Sequence, residues 1–170
     1  MVRDGGQQAR SASGRRAARS PGRARARLVR FWDTSALVPL FIAERESGAA
    51  VKRLREDPEV VVWTLARLEL LAALARRGRD EPTAARQLAL VRRHFLEAWE
   101  RWSEVTAADI VRRHAERIVG THSLRSSDAL HIGAALVAAE HEPATLEFVT
   151  FDRRQAAAAE REGFHVLGPP

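Results

Sequence analysis

Short apolar runs rich in β-branched and aromatic residues recur along this chain, and the stretches between them repeat their apolar positions every three to four residues. LVRFWD (28–33), EVVVW (59–63), WSEVT (102–106), LEFVTF (146–151) and FHVL (164–167) read as strands. Between them the pattern predicts helices at 35–43, limited by Pro39, and at 44–56, ahead of Asp57-Pro58. A third helix spans 64–77, with Thr64 as its cap, Gly78 as its terminator, and Leu65, Leu68, Leu71 and Leu74 at helical spacing. The next, 82–99, sets Leu88, Val91, Phe95 and Trp99 on one face and arginines on the other, a hairpin with its predecessor that can serve as a partner surface. Further helices follow at 107–119, from Ser126-Ser127-Asp128 through ALHIGAALVAAEH, and at 152–162, closed by Gly163. Strands alternating with helices predict an α/β fold, a parallel sheet covered by helices.

Four acids break or border these apolar segments: Asp33 in RFWDTSALV, Glu69 in TLARLELLAAL, Asp128 in LRSSDALHIGAAL and Asp152 in LEFVTFDRRQA. Carboxylates are seldom buried unless they are paired or hold a cation, so four in core-like surroundings predict one shared acidic pocket. Asp33 and Asp152 fall at the carboxyl ends of predicted strands, where open α/β sheets present ligands. Asp128 lies in the first turn of a helix, and Glu69 lies in the middle of one.

Composition narrows the chemistry. The 170 residues make one domain of ordinary size with 45% hydrophobic content, and the longest clean apolar stretch, 132–139, is too short to cross a bilayer. With no membrane segment and no secretory h-region, the expected compartment is the cytoplasm. Cysteine is absent, which removes disulfides, thiol nucleophiles and Cys-containing zinc sites, and no two of the six histidines are spaced i, i+4. Any metal bound here is therefore an oxygen-preferring one such as Mg2+ or Mn2+.

The net charge of +6 is concentrated at one end, because residues 1–28 hold eight arginines and one acid, leaving the remainder at −1. That leader, rich in Gly, Ser, Ala and Arg and without apolar periodicity, is expected to be disordered, with the folded domain at 29–168. It reads either as a phosphate-gripping arm or as a product of arginine-biased composition, since Lys52 is the only lysine among 28 basic residues.

Carboxylates gathered around one or two hard cations form a template for phosphodiester hydrolysis, in which the metal activates water and neutralises developing charge. Each acid also has a structural reading. Asp33 and Asp152 can be helix N-caps, Asp128 can complement a helix dipole, and Glu69 can pair with Arg67 or another arginine. His131 reads as packed core or as an orienter of substrate or a carboxylate. Trp63, Trp99 and Trp102 read as core, dimer surface or base-stacking platforms. Arg153 and Arg154 read as phosphate contacts or a solvated helix face.

The order of these motifs resembles the PIN domain, specifically the VapC-type toxin nucleases of bacterial toxin–antitoxin pairs, over about residues 29–167. The resemblance rests on Asp33-Thr34-Ser35 after the first strand, the acid in a Leu/Ala-rich helix, the run Leu124-Arg125-x-x-Asp128-Ala129-Leu130-His131, and Thr150-x-Asp152-Arg153-Arg154. It implies a three-layer α/β/α fold and a Mg2+- or Mn2+-dependent endoribonuclease. Asp33, Glu69, Asp128 and Asp152 would be its metal-binding acids, with Ser35 and Thr150 in support. It further implies an RNA substrate, a homodimer, and a small antitoxin that inserts into the active-site groove. The arginine-rich leader departs from the family pattern, which begins just before the first strand. A non-catalytic PIN-like regulatory module and a nuclease acting on DNA are the alternatives. A receiver domain would want a lysine near the end, and a haloacid-dehalogenase-type phosphatase would want an acid where Ser35 stands.

Overall fold

β1 (Val29–Trp32) is the middle strand of the sheet, and its two ends of sequence explain why: Phe31 and Trp32 are both fully buried, one on each face. The computed structural model describes residues 29–169, so the leader expected to be disordered lies outside the described residues. After β1 come α1 (Thr34–Phe41), α2 (Ser47–Glu56), β2 (Val61–Trp63), α3 (Thr64–Asp80) and, past a 3-10 turn at Pro82–Ala84, α4 (Ala85–Trp99). The second half runs β3 (Ser103–Val105), α5 (Ala108–Thr121), α6 (Ser126–Ala138), β4 (Leu146–Val149), α7 (Arg153–Arg161) and β5 (His165–Leu167). The five strands pair in the order β3-β2-β1-β4-β5, and every pairing is parallel.

Side-chain alternation along the strands divides the core into two layers. Phe31, Trp63 and Phe148 pack against α5, α6 and α7 through Val111, Ile118, Ile132 and Ala159. Trp32, Val62 and Val149 pack against α1, α3 and α4 through Leu37, Leu70, Phe95 and Trp99. The result is a three-layer α/β/α arrangement. Trp63 and Trp99 belong to this core, and Trp102 packs partly buried against Phe95 and Trp99. α5 and α6 approach so closely that a Cβ on Gly133 would lie 2.8 Å from the carbonyl oxygen of Val111. Glycine is required there by the contact, since any side chain would strike backbone.

Three local expectations are corrected. α3 runs through Gly78 to Asp80, and Pro82 is what stops it, forcing Glu81 out of the helical region. Thr64 is the first helical residue, and the extended Trp63 holds the cap position without a side-chain cap bond. The buried stripe of α3 is Ala66, Leu70 and Leu74, with Leu65 and Leu68 exposed at 38% and 65%. Among the described residues no helix is long and apolar enough to cross a membrane.

Candidate active site

The sheet order reverses at β1: the chain builds β2 and β3 on one side of it, then returns to place β4 and β5 on the other. Helices leaving β1 and β4 from this switch point diverge and open a crevice at the strands' carboxyl ends. Asp33 directly follows β1, and Asp152 stands three residues beyond β4.

Asp33 is 4% exposed and caps α1, accepting from the backbone N–H of Ser35 at 3.0 Å. The same oxygen, Oδ2, accepts from the Ser35 hydroxyl at 2.5 Å and lies 3.2 Å from the Thr150 hydroxyl. Ser35 Oγ also accepts from the backbone N–H groups of Phe151 and Asp152, at 2.9 and 3.2 Å. A serine and a threonine thus stitch the β1 and β4 corners together. Their local cause is two strand-to-helix turns, β1–α1 and β4–α7, lying side by side through β1–β4 pairing.

Glu69 reaches the crevice from α3 and is half-buried. Its Oε2 accepts from the Thr34 hydroxyl at 2.5 Å and lies 2.8 Å from His131 Nε2. Burial raises the Glu69 carboxyl, but the bonds to His131 and Thr34 outweigh it and hold the group below its ordinary value. His131 is 2% exposed, with Nδ1 3.6 Å from Asp33 Oδ1. Burial alone would push its imidazole down, yet the charges of Asp33 and Glu69 hold it above the usual histidine value. The core and site readings of His131 therefore hold together. Glu69 has this histidine as its partner in place of the expected arginine.

Asp128, on the first turn of α6, receives a 3.3 Å bond from the Arg125 backbone N–H. Burial raises its pKa, and the neighbouring charges of Asp152 and Asp33 raise it further. Asp152 caps α7, its Oδ1 accepting from the backbone N–H groups of Arg154 at 2.7 Å and Gln155 at 3.0 Å. Of the four acids only Asp33 is buried; Glu69, Asp128 and Asp152 are partly exposed at the crevice wall, a softer setting than core-like sequence neighbours imply. Leu70 beside Glu69 and Ala129 beside Asp128 face the core while the carboxylates turn outward.

All four acids line one cavity of about 460 Å³, together with Thr34, Ser35, His131, Gln155 and the side chains of Arg76 and Arg125. An adjoining hollow of about 470 Å³ shares Asp128, Asp152 and Arg125 and adds Arg153 and Arg154, both exposed. As the side chains stand, no group of three or more His, Asp or Glu among the described residues is gathered closely enough to hold a metal ion.

Sequence reasoning missed Thr34, Gln155, Arg76 and Arg125 as members of this site. Arg125 carried a signal, standing immediately before the helix that bears Asp128, three residues ahead of that acid. Gln155 is the single polar side chain among the buried residues of α7, otherwise all alanine, which is a signal only once the buried face is known.

Comparison with known proteins agrees with this architecture. The profile of the PIN domain matches residues 30–161. Ribonuclease VapC45 of Mycobacterium tuberculosis (strain CDC 1551 / Oshkosh) is 30% identical over 136 residues, covering 80% of this chain and 92% of the relative. Among solved structures, Mycobacterium tuberculosis VapC20, a sarcin-ricin loop cleaving toxin, superposes with a TM-score of 0.51 at 24% identity, covering 79% of this chain and 95% of the other. PAE2754 from Pyrobaculum aerophilum gives 0.54 at 21% identity, over 77% and 84% of the two chains. A parallel five-stranded sheet between two helical layers, with acids converging where its strand order reverses, and a family match over most of the described residues lead to one assignment: the chain belongs to the PIN-domain family, in its VapC-type branch.

Proposed function

We propose that this protein is a Mg2+- or Mn2+-dependent endoribonuclease, the toxin of a toxin–antitoxin pair, with residues 29–168 as its nuclease domain. The observation that carries the reading is the convergence of Asp33, Glu69, Asp128 and Asp152 from four elements on one cavity bordered by Arg76 and Arg125. The relative at 30% identity bears the name ribonuclease, which favours RNA as substrate.

The donor set suits a hard cation. It consists of carboxylates; burial raises the pKa of Asp128 and the charges of Asp152 and Asp33 raise it further, a repulsion that a divalent ion would relieve. Asp33, Asp128, Asp152 and Glu69 would hold the ion. When bound, Mg2+ or Mn2+ supplies Lewis-acid neutralisation of charge developing on the phosphate and acidifies the attacking water. The chain's own residues do the rest. Ser35 orients Asp33, with the Thr150 hydroxyl beside it, while Thr34 and His131 hold Glu69 ionised towards the cavity. Arg125, Arg153 and Arg154 border the adjoining hollow and offer charge-assisted donors to phosphates of the flanking backbone. A homodimer, a small antitoxin covering the groove and a cytoplasmic setting complete the reading.

The test is purified protein with defined RNA and DNA, in Mg2+, Mn2+ or chelator. RNA cleavage is expected with metal and none with chelator. Asp33→Asn and Asp128→Asn are expected to lower cleavage by at least about 100-fold, the scale of a lost catalytic group, with circular dichroism unchanged. Undiminished cleavage by either variant rejects the site. Cleavage of DNA alone points to the other nuclease class, and activity on neither points to a binding module.

A further inference from the structure

Gln155 is 1% exposed, in the first turn of a helix whose other buried residues are Ala156, Ala158 and Ala159. A buried amide is costly unless both its ends are bonded. Here both are. Its Oε1 accepts from the Thr150 hydroxyl at 2.9 Å, and its Nε2 donates to the backbone carbonyl of Asp128 at 3.3 Å. Its own backbone N–H donates to Asp152 Oδ1 at 3.0 Å.

These three bonds reach three of the acid-bearing corners. Thr150 stands 3.2 Å from Asp33 Oδ2, so Gln155 touches Asp128 and Asp152 directly and competes with Asp33 for the proton of one hydroxyl. Glu69 is served separately by Thr34 and His131. The Thr150 hydroxyl has one proton and three acceptors within range, Gln155 Oε1 at 2.9 Å, Ser35 Oγ at 3.1 Å and Asp33 Oδ2 at 3.2 Å, and Gln155 is the nearest. Donation to Gln155 leaves Asp33 with the Ser35 donors and frees lone-pair capacity on its carboxylate. At the same time the amide ties the first turn of α6 to the β4–α7 corner, holding Asp128 near Asp152 against their mutual repulsion.

We infer that Gln155 is the positioning residue that sets the mutual placement of Asp33, Asp128 and Asp152 and so tunes the affinity of the cavity for a divalent cation. The inference rests on the metal-nuclease reading above. Groups that orient metal-binding side chains change metal affinity by about 10- to 100-fold when lost. Gln155→Met keeps the volume and removes both side-chain bonds.

The experiment is calorimetric titration of the full-length protein and Q155M with Mn2+, alongside thermal unfolding and RNA cleavage across Mn2+ concentrations. Expected are a Kd for Mn2+ raised about 10- to 100-fold and cleavage that recovers as Mn2+ is increased, which a purely packing role would not produce. A Kd within twofold of wild type overturns the inference while leaving the nuclease reading intact. Should Q155M lose its thermal transition, Gln155→Asn decides by the same titration: one methylene shorter, it cannot reach both partners, so unchanged Mn2+ affinity overturns the inference. Wild-type protein that neither binds Mn2+ nor cleaves RNA overturns the nuclease reading itself, and the inference with it.

Discussion

Asp152 does two jobs that substitution can separate. It caps α7 through two backbone N–H groups, and it lends a carboxylate to the cavity. Asparagine caps nearly as well as aspartate, whereas alanine at an N-cap costs about 1 kcal/mol. Asp152→Asn is therefore expected to match wild-type stability in urea denaturation within about 0.5 kcal/mol, and Asp152→Ala to fall about 1 kcal/mol below it. Under the proposed function both lose RNA cleavage. If the alanine variant alone were inactive, the cap and not the charge would be what matters. The cap reading and the acid reading of Asp33 and Asp152 were both legible in the sequence, and neither excludes the other. Glu69 was legible as an acid out of place, but its partner was not, because His131 lies 62 positions away on another helix.

Element by element, the helices were located by their periodicity, and their buried faces less well. In α3 two leucine-containing stripes lie close together around the helix. Packing on α1, α4 and β2 selects Ala66, Leu70 and Leu74 and leaves Leu65 and Leu68 outside. Contacts between helix ends were invisible. Arg117 near the end of α5, His122 just after it and Glu162 after α7 form one cluster, with Glu162 Oε1 2.8 Å from His122 Nε2 and 3.1 Å from Arg117 Nη1. The bond from Arg117 outweighs burial, and with the help of His122 it holds the Glu162 carboxyl below its ordinary 4.5. A depressed folded-state pKa means stability that is present above 4.5 and lost as pH falls through the lower folded value. Glu162→Gln is thus expected to be less stable than wild type by about 1 kcal/mol near neutral pH, the scale of a partly exposed ion pair. The gap should close as denaturation curves are taken to increasingly acid pH. A gap that persists there removes the carboxylate's charge as its cause.

For the whole molecule, the excess positive charge and the candidate chemistry separate. The residues from 29 onward carry a net charge of −1, yet arginines gather locally beside the acids, so a basic rim surrounds an acidic floor. Phosphate attraction depends on such local placement more than on the total. Under the proposed function, a chain lacking residues 1–28 is accordingly expected to keep its affinity for RNA. A marked loss of affinity, with a shallower dependence on salt, would instead identify the leader as a phosphate-binding arm.

By itself the sequence determined the succession of strands and helices, the α/β class and the identity of the four acids. Those properties are local: strand and helix periods, caps and Pro-imposed stops are written in neighbouring residues. Only the tertiary structure decided that β4 returns beside β1, so that Thr150 and Ser35 meet across 115 positions. Packing of α7 on α6 likewise lets one buried glutamine reach the Asp128 carbonyl as well as the Thr150 hydroxyl. Strand order depends on how whole faces pack against one another, and no single segment carries that information. The acids were readable as exceptions to a pattern; their arrangement into a site was a property of the packed sheet.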